Sequence, residues 1–176
     1  MPLVPHTAPN DVAFPAQGHN HDRCLHTALN RAAGAFEAKG LKLTDLRRRV
    51  FAEIAGSHHA VGAYDVLERL AKTGDRLAPV SVYRAIDALL AVGCIHRLES
   101  RNAFFACHTS EAHARKPVIL VCTACGRVAE MAGDPVLDAL DRLLAANRFA
   151  AAQTVLEVAG VCAECAPFNA AGRATS

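Results

Sequence analysis

The stretch "PVSVYRAIDALLAVGCIHRLESRNAFFACH", Pro79–His108, changes its hydrophobic period halfway along. In its first half Val82, Ile86, Leu89 and Leu90 recur at helical spacing behind Pro79, a favourable first-turn residue, and Gly93 is a stop. In its second half two short β-like runs, "CIHRLES" and "AFFACH", flank Ser100, Arg101 and Asn102, a hairpin signal. Three further helical patterns precede it. Leu25, Leu29, Ala32, Ala33 and Phe36 share one face, with Gly40 as the stop. Thr44 can cap a second helix that turns Leu46, Val50, Phe51 and Ile54 inward and ends at Gly56. A third spans about Ala63–Lys72, with Val66, Leu67 and Leu70 inward, and closes near Gly74. Helices followed by a hairpin make a winged helix-turn-helix.

The chain beyond reads as strand–strand–helix–strand. "KPVILVC" and "RVAEM" are strands turning at Thr123, Ala124, Cys125 and Gly126. Asp134 and Pro135 open a helix with Val136, Leu137, Leu140, Leu143 and Leu144 inward, and "TVLEVAG" is the last strand. The expected fold class is therefore α+β: an N-terminal winged helix-turn-helix domain plus a C-terminal small α/β domain. Residues 1–21, with Pro2, Pro5, Pro9 and Pro15 and no periodicity, are expected to form a flexible tail. The winged-helix domain then covers 22–107, a hinge loop 108–117, the small domain 118–166 and a C-terminal tail 167–176.

Composition narrows the function. The chain has no Trp and only two Tyr, which disfavours aromatic cages and stacking platforms. No apolar run approaches the ~20 residues that span a bilayer. The first residues carry no basic region followed by an apolar block, so a cytoplasmic location is expected. From Leu41 to Arg101 ten Lys/Arg stand against seven Asp/Glu, a balance of +3. From Pro117 to Cys165 three stand against six, a balance of −3. The basic half is the better candidate for a polyanionic partner.

Of seven cysteines, four fall in two Cys-x-x-Cys pairs, "VCTAC" and "VCAEC". An odd count without an export signal favours metal binding over disulfides. Redox Cys-x-x-Cys pairs normally open a helix after a strand, whereas the first pair here lies between two strands. Cys122, Cys125, Cys162 and Cys165 are thus expected to form a closed structural zinc site that pins the start of the small domain to its end. A second, mixed set consists of His96, Cys107, His113 and Glu130. Singly each has an ordinary explanation. Together they offer one sulfur, two nitrogens and one oxygen around a domain boundary, and the thiolate favours zinc over iron(II) or manganese.

The segments "LTDLRRRVF", "GAYDVLERL", "PVSVYRAIDALLAVGCIHRLES", "CH", "VCTACGRVAE" and "GVCAECA" occur in the order found in the ferric uptake regulator family, which the chain resembles over about Leu25–Ala166. Its zinc uptake regulator branch fits best, through His96 in "IHRLES", Cys107 in "ACH" and Glu130 after the first cysteine pair. The resemblance implies a homodimeric, zinc-activated repressor of zinc uptake genes, not an enzyme. It implies two zinc ions per protomer, a C-terminal dimerisation domain and a palindromic double-stranded operator DNA. It places His96, Cys107, His113 and Glu130 at the regulatory zinc, with His108 as the rival to His113. In an extended strand His108 would face away from Cys107.

In a winged helix-turn-helix the second helix of the motif enters the major groove. Residues 79–92 would then present Ser81, Tyr83, Arg84 and Asp87. Arg84 can form two bonds to a guanine edge, and Tyr83 can pack on a thymine methyl or reach a phosphate. Both match the family's "VYRA" segment. Arg47 matches the arginine of its "LTxxR" motif, a backbone contact. Arg48, Arg49 and Arg101 at the wing tip are further candidates. His58, His59 and the cluster His19, His21, Cys24 and His26 are conceivable third-site ligands, although solvated histidines are the commoner case.

Three rival readings are weaker. An iron- or peroxide-responsive regulator of the same family relies on nitrogen and oxygen ligands, which Cys107 contradicts. A zinc hydrolase or deaminase needs an open metal position, and the H-x-E followed by P-C-x-x-C pattern is absent. A protein adaptor leaves the winged-helix pattern unexplained.

Overall fold

A computed structural model of the chain describes Phe14 and residues 21–74, 77–107 and 117–165. The elements follow the order α1 (His21–Ala38), α2 (Asp45–Ala55), β1 (Val61–Gly62), α3 (Ala63–Lys72), α4 (Pro79–Ala91), β2 (Ile95–Leu98), β3 (Ala103–Ala106), β4 (Val118–Cys122), β5 (Val128–Met131), α5 (Asp134–Ala146) and β6 (Glu157–Gly160). The fold class is α+β, as the two periods require.

Local chemistry explains the helix ends. The Thr44 hydroxyl accepts from the Arg47 amide at the start of α2. Pro79 stands in the first turn of α4, where its missing N–H costs nothing. Gly93 adopts φ 76°, the left-handed conformation that closes α4 before the chain enters β2. Phe36, Val50, Phe51, Ile54, Val66, Leu70, Val82, Ile86 and Leu89 form the main core between the four helices and one face of the wing.

The wing is the antiparallel sheet β1–β3–β2. Ile95 pairs with Ala106 and Leu98 with Ala103. The expected hairpin turn contains one turn of 3-10 helix, Glu99–Arg101, and Asn102 takes the left-handed φ of 47°. Asparagine tolerates that conformation because its short side chain bonds locally, and Asn102 Oδ1 accepts from Arg97 at 2.7 Å. β1 was not expected. Its two residues pair with Phe104 and Ala103, and such a short strand leaves no period to read.

The C-terminal sheet has the order β5–β4–β6, with β4 antiparallel to β5 and parallel to β6. A parallel neighbour needs a crossover, which α5 provides. A second core of Leu98 and Phe105 from the wing with Ile119, Val121 and Val128 joins the two sheets.

One expectation fails in this unit. Of the five apolar residues expected inward on α5, only Leu137 is buried. Val136 and Leu143 are 49% and 63% exposed, and Phe149, Val155, Val158 and Val161 are exposed as well. The face is amphipathic as read, but no part of the described chain covers it. Leu90 of α4 is likewise only partly buried.

Candidate metal centres and nucleic-acid face

The first centre is built by two tight turns. Cys122 ends β4, and Cys125 follows in a turn closed by the Gly126 amide donating to the Cys122 carbonyl at 2.8 Å. Gly126 has φ 74°, a conformation that favours glycine, and a Cβ there would lie 3.2 Å from the His59 ring, which would have to give slightly. β6 runs beside β4 and delivers Cys162 and Cys165 to the same end of the sheet. The Cys165 amide donates to the Cys162 carbonyl at 3.0 Å, repeating the turn.

The four sulfurs all lie within 4.8 Å of one another. Cys125 and Cys162 Sγ are 3.9 Å apart. Tetrahedral zinc with Zn–S bonds of ~2.3 Å sets sulfurs about 3.8 Å apart, so the donor set fits that ion. Amides of Cys125 and Cys162 donate to Cys122 Sγ at 3.5 and 3.4 Å. These backbone donors, Cys125 first, lower the Cys122 thiol to about 6. The sulfurs of Cys162 and then Cys125 push Cys165 up to about 12.

A proton prediction follows. The Cys122 and Cys165 thiols are pushed in opposite directions, whereas a bound ion needs both deprotonated. Zinc uptake by the reduced, metal-free protein is expected to release at least one proton per ion. Affinity should therefore rise about tenfold per pH unit for each proton released. A pH indicator in weak buffer reads this directly, and zinc uptake without acidification would refute it.

The second centre straddles the two sheets. His96 on β2, Cys107 just past β3 and Glu130 on β5 bring ligand atoms within 4.8 Å of one another. His96 Nε2 lies 3.1 Å from Glu130 Oε1, and the Glu130 side chain is only 1% exposed. Cys107 Sγ faces the other carboxylate oxygen at 3.6 Å. The His96 ring is held against Phe105, 5.7 Å between centroids, and Arg31 of α1 donates to the Cys107 carbonyl at 3.2 Å. A buried carboxylate is costly unless a positive charge meets it. A cation bound by imidazole, thiolate and carboxylate supplies that charge, so the set fits a metal. His113 and its rival His108 lie outside the described residues. Cys94 is buried opposite Cys107 but is not in the cluster, and burial pushes its thiol up to about 11.

The other histidines have different work. His59 Nε2 lies 2.9 Å from the Cys125 carbonyl, and the His58 carbonyl accepts from Val128. Both therefore dock the winged helix onto the first cysteine turn, and neither belongs to a metal cluster among the described residues. Of the N-terminal set, His19 lies outside the described residues, and Cys24 and His26 join no cluster.

On α4, Tyr83, Arg84 and Asp87 are exposed and Ser81 half-buried, while Val82, Ala85, Ile86 and Leu89 face the core. The Tyr83 ring meets Tyr64 of α3 edge-on, 6.5 Å between centroids. Tyr64, 75% exposed, thus joins this face, and only the packing of α3 on α4 reveals it. Arg47 is half-buried: one guanidinium nitrogen donates to the exposed Lys42 carbonyl at 2.6 Å, and the group lies over Phe36. Arg48 is the exposed member of the arginine run, and Arg49 sits 3.8 Å from Asp45. Arg101 is exposed at the wing tip. Three residues missed in the sequence complete the picture. The Glu157 carboxylate of β6 accepts from the amides of Glu99 and Ser100 at 2.6 and 3.2 Å, tying the small sheet to the wing. Arg31 holds the end of β3, and Arg127 holds the cysteine centre.

Fold and side chains together describe a winged-helix protein with a four-cysteine cluster and a second cluster of His96, Cys107 and Glu130 between its two sheets, each able to hold a metal ion. The profile of the ferric uptake regulator family matches residues 38–159. The zinc uptake regulation protein of Escherichia coli (strain K12) is 33% identical over 132 residues, covering 75% of this chain and 77% of that protein. A zinc uptake regulator solved in complex with zinc and DNA is 31% identical with a TM-score of 0.74, over 81% of this chain and 95% of that one. The holo form of XcZur is 35% identical with a TM-score of 0.72, over 80% of this chain and 98% of that one. This chain belongs to the ferric uptake regulator family.

Proposed function

We propose that the chain is a zinc-responsive, DNA-binding repressor of zinc uptake genes, acting in the cytoplasm as a homodimer and not as an enzyme. The observation that carries this reading is the placement of His96 and Cys107 on the wing and Glu130 on the other sheet, within reach of one ion. A metal held by these three, with His113 as the fourth ligand, favours one orientation of the winged helix relative to the small domain. Cys122, Cys125, Cys162 and Cys165 hold the second, structural zinc, giving two ions per protomer. Domain limits at 22–107 and 118–166, with 108–117 as the hinge, accord with this division.

The exposed apolar residues of α5, β6 and the segment between them support a two-fold dimer through the small domain, where a partner would cover them. Two α4 helices then reach successive turns of a palindromic operator. Arg84 and Tyr83 contact bases, Ser81 and Tyr64 flank them, and Arg47 fixes the backbone register. No helix among the described residues is long and apolar enough to cross a membrane.

Selection from a random duplex pool tests the reading. With zinc present it should return a two-fold symmetric sequence, and with chelator it should return none. Enrichment with iron(II) but not zinc would sink it. Given that operator, Arg84→Ala should lose discrimination against random DNA by about 1–3 kcal/mol. Arg47→Ala should weaken both DNAs by a similar factor and flatten the salt dependence. An intact operator preference in Arg84→Ala would show that another helix reads the bases.

A further inference from the structure

Arg127 opens β5 two residues beyond Cys125, and its side chain is 6% exposed. Its Nε donates to Cys125 Sγ at 3.2 Å. Its Nη2 donates to Cys162 Sγ at 3.3 Å and to Glu164 Oε2 at 2.7 Å. One fork therefore touches the first cysteine turn, the second cysteine turn, and a residue between the two cysteines of the second. Its backbone is fixed as well: the Arg127 carbonyl accepts from the Cys122 amide at 2.9 Å, and the residue bridges to His59 of the winged helix.

Arginine is almost never so buried unless it is paired, because an uncompensated cation is expensive away from water. The compensating charge is at hand. Four thiolates around one Zn2+ leave a net charge of about −2, in a place where Cys122 and Cys162 are only 1% and 4% exposed. Among the described contacts only Cys125 and Cys162 receive a hydrogen bond from the guanidinium, whereas Cys122 receives its hydrogen bonds from neutral amides. A charged donor draws electron density from a thiolate lone pair more strongly than an amide does. The sulfur remains a zinc ligand but becomes a poorer nucleophile.

We propose that Arg127 shields the zinc thiolates: it protects Cys125 and Cys162 from electrophiles and oxidants and so retains the structural zinc, with Glu164 positioning its guanidinium. The proposal rests on the four cysteines holding zinc. Arg127 is a positioning and charge-compensating residue, since it reaches the ion only through the sulfurs.

The test uses the reduced full-length protein carrying its one tightly held zinc. Iodoacetamide is the probe. A thiolate lone pair forms a sulfur–carbon bond, iodide leaves, and the resulting thioether no longer holds the ion, whose release a chromophoric chelator reads. Reading zinc rather than total alkylation excludes Cys24, Cys94 and Cys107. Arg127→Gln should release zinc to iodoacetamide about tenfold faster than the parent, while release to the chelator alone changes much less. Glu164→Gln should lie between the two. In the cobalt(II)-substituted protein the sulfur-to-metal charge-transfer band should move to lower energy in Arg127→Gln. Equal acceleration of both releases would mean that Arg127 merely packs, and would overturn the proposal. So would parental rates and an unshifted band. If Arg127→Gln does not fold, Glu164→Gln and Arg127→Lys decide, and parental iodoacetamide rates in both refute the shield. Absence of zinc from the parent protein would instead remove the zinc reading itself.

Discussion

Cys162→Ser is expected to lose the structural zinc and, with it, the fold of the small domain and the dimer. Cys162 is 4% exposed, and its amide donates to Cys122 Sγ at 3.4 Å. With β6, which pairs with β4, it brings the second cysteine turn against the first. Apolar burial adds little here: the side chains of β6 are largely exposed, and α5 buries only Leu137. The apolar core of this unit is the five-residue cluster shared with the wing. Structural zinc contributes about 10–16 kcal/mol of apparent binding energy in small domains, against about 5–15 kcal/mol for the whole stability of an ordinary protein. A three-cysteine remnant that no longer holds the ion therefore forfeits an energy comparable with the stability of an entire protein. Elemental analysis should find no zinc after mild chelation, size exclusion should show loss of the dimer, and circular dichroism should show loss of strand signal. The helices of the winged unit have their own core and should remain. A zinc-free Cys162→Ser protein that is still a folded dimer would refute the structural role.

Much of this architecture was readable because its signals are local. A change from a 3.6-residue to a two-residue period locates the hairpin without any tertiary information, and Thr44 and Pro79 mark helix starts by their own chemistry. The four cysteines were readable because tight turns bring such pairs together whatever surrounds them. Arg127 was not, because spacing cannot tell whether a long stem reaches water or folds back onto a thiolate. His58 and His59 illustrate the same limit: their task is docking onto Cys125 and Val128, contacts far apart in sequence. Glu157 was missed for the same reason, since its partners Glu99 and Ser100 lie in the turn of the wing, far off in sequence. α5 shows a different gap. Its apolar stripe was legible, but what covers it belongs to no described part of the same chain.

Cys107→Ser and Glu130→Gln separate the switch from the scaffold. Neither residue touches the four-cysteine centre, so both variants are expected to remain folded dimers with one zinc per chain. Serine keeps the size of cysteine but removes the soft donor that favours zinc. Glutamine keeps the volume of glutamate but is a far weaker ligand. Either should abolish the zinc-dependent gain in operator affinity, a factor of about 5–150 if the coupling is of ordinary size. Linkage makes the loss reciprocal: operator DNA should raise the zinc affinity of the parent by that same factor and leave that of the variants unchanged. Glu130 adds a readout that Cys107 lacks. Its side chain is 1% exposed and lies 3.1 Å from His96, so zinc bound there is felt by the folded state as well as by the operator. When zinc is added beyond the first equivalent, the parent should gain stability and Glu130→Gln should not. Combining Cys107→Ser with Glu130→Gln should be little worse than either alone, since one ion is lost once. Parental zinc dependence of operator binding in Cys107→Ser would place the sensing site elsewhere. Additive losses in the double variant would mean that the two residues act through separate ions.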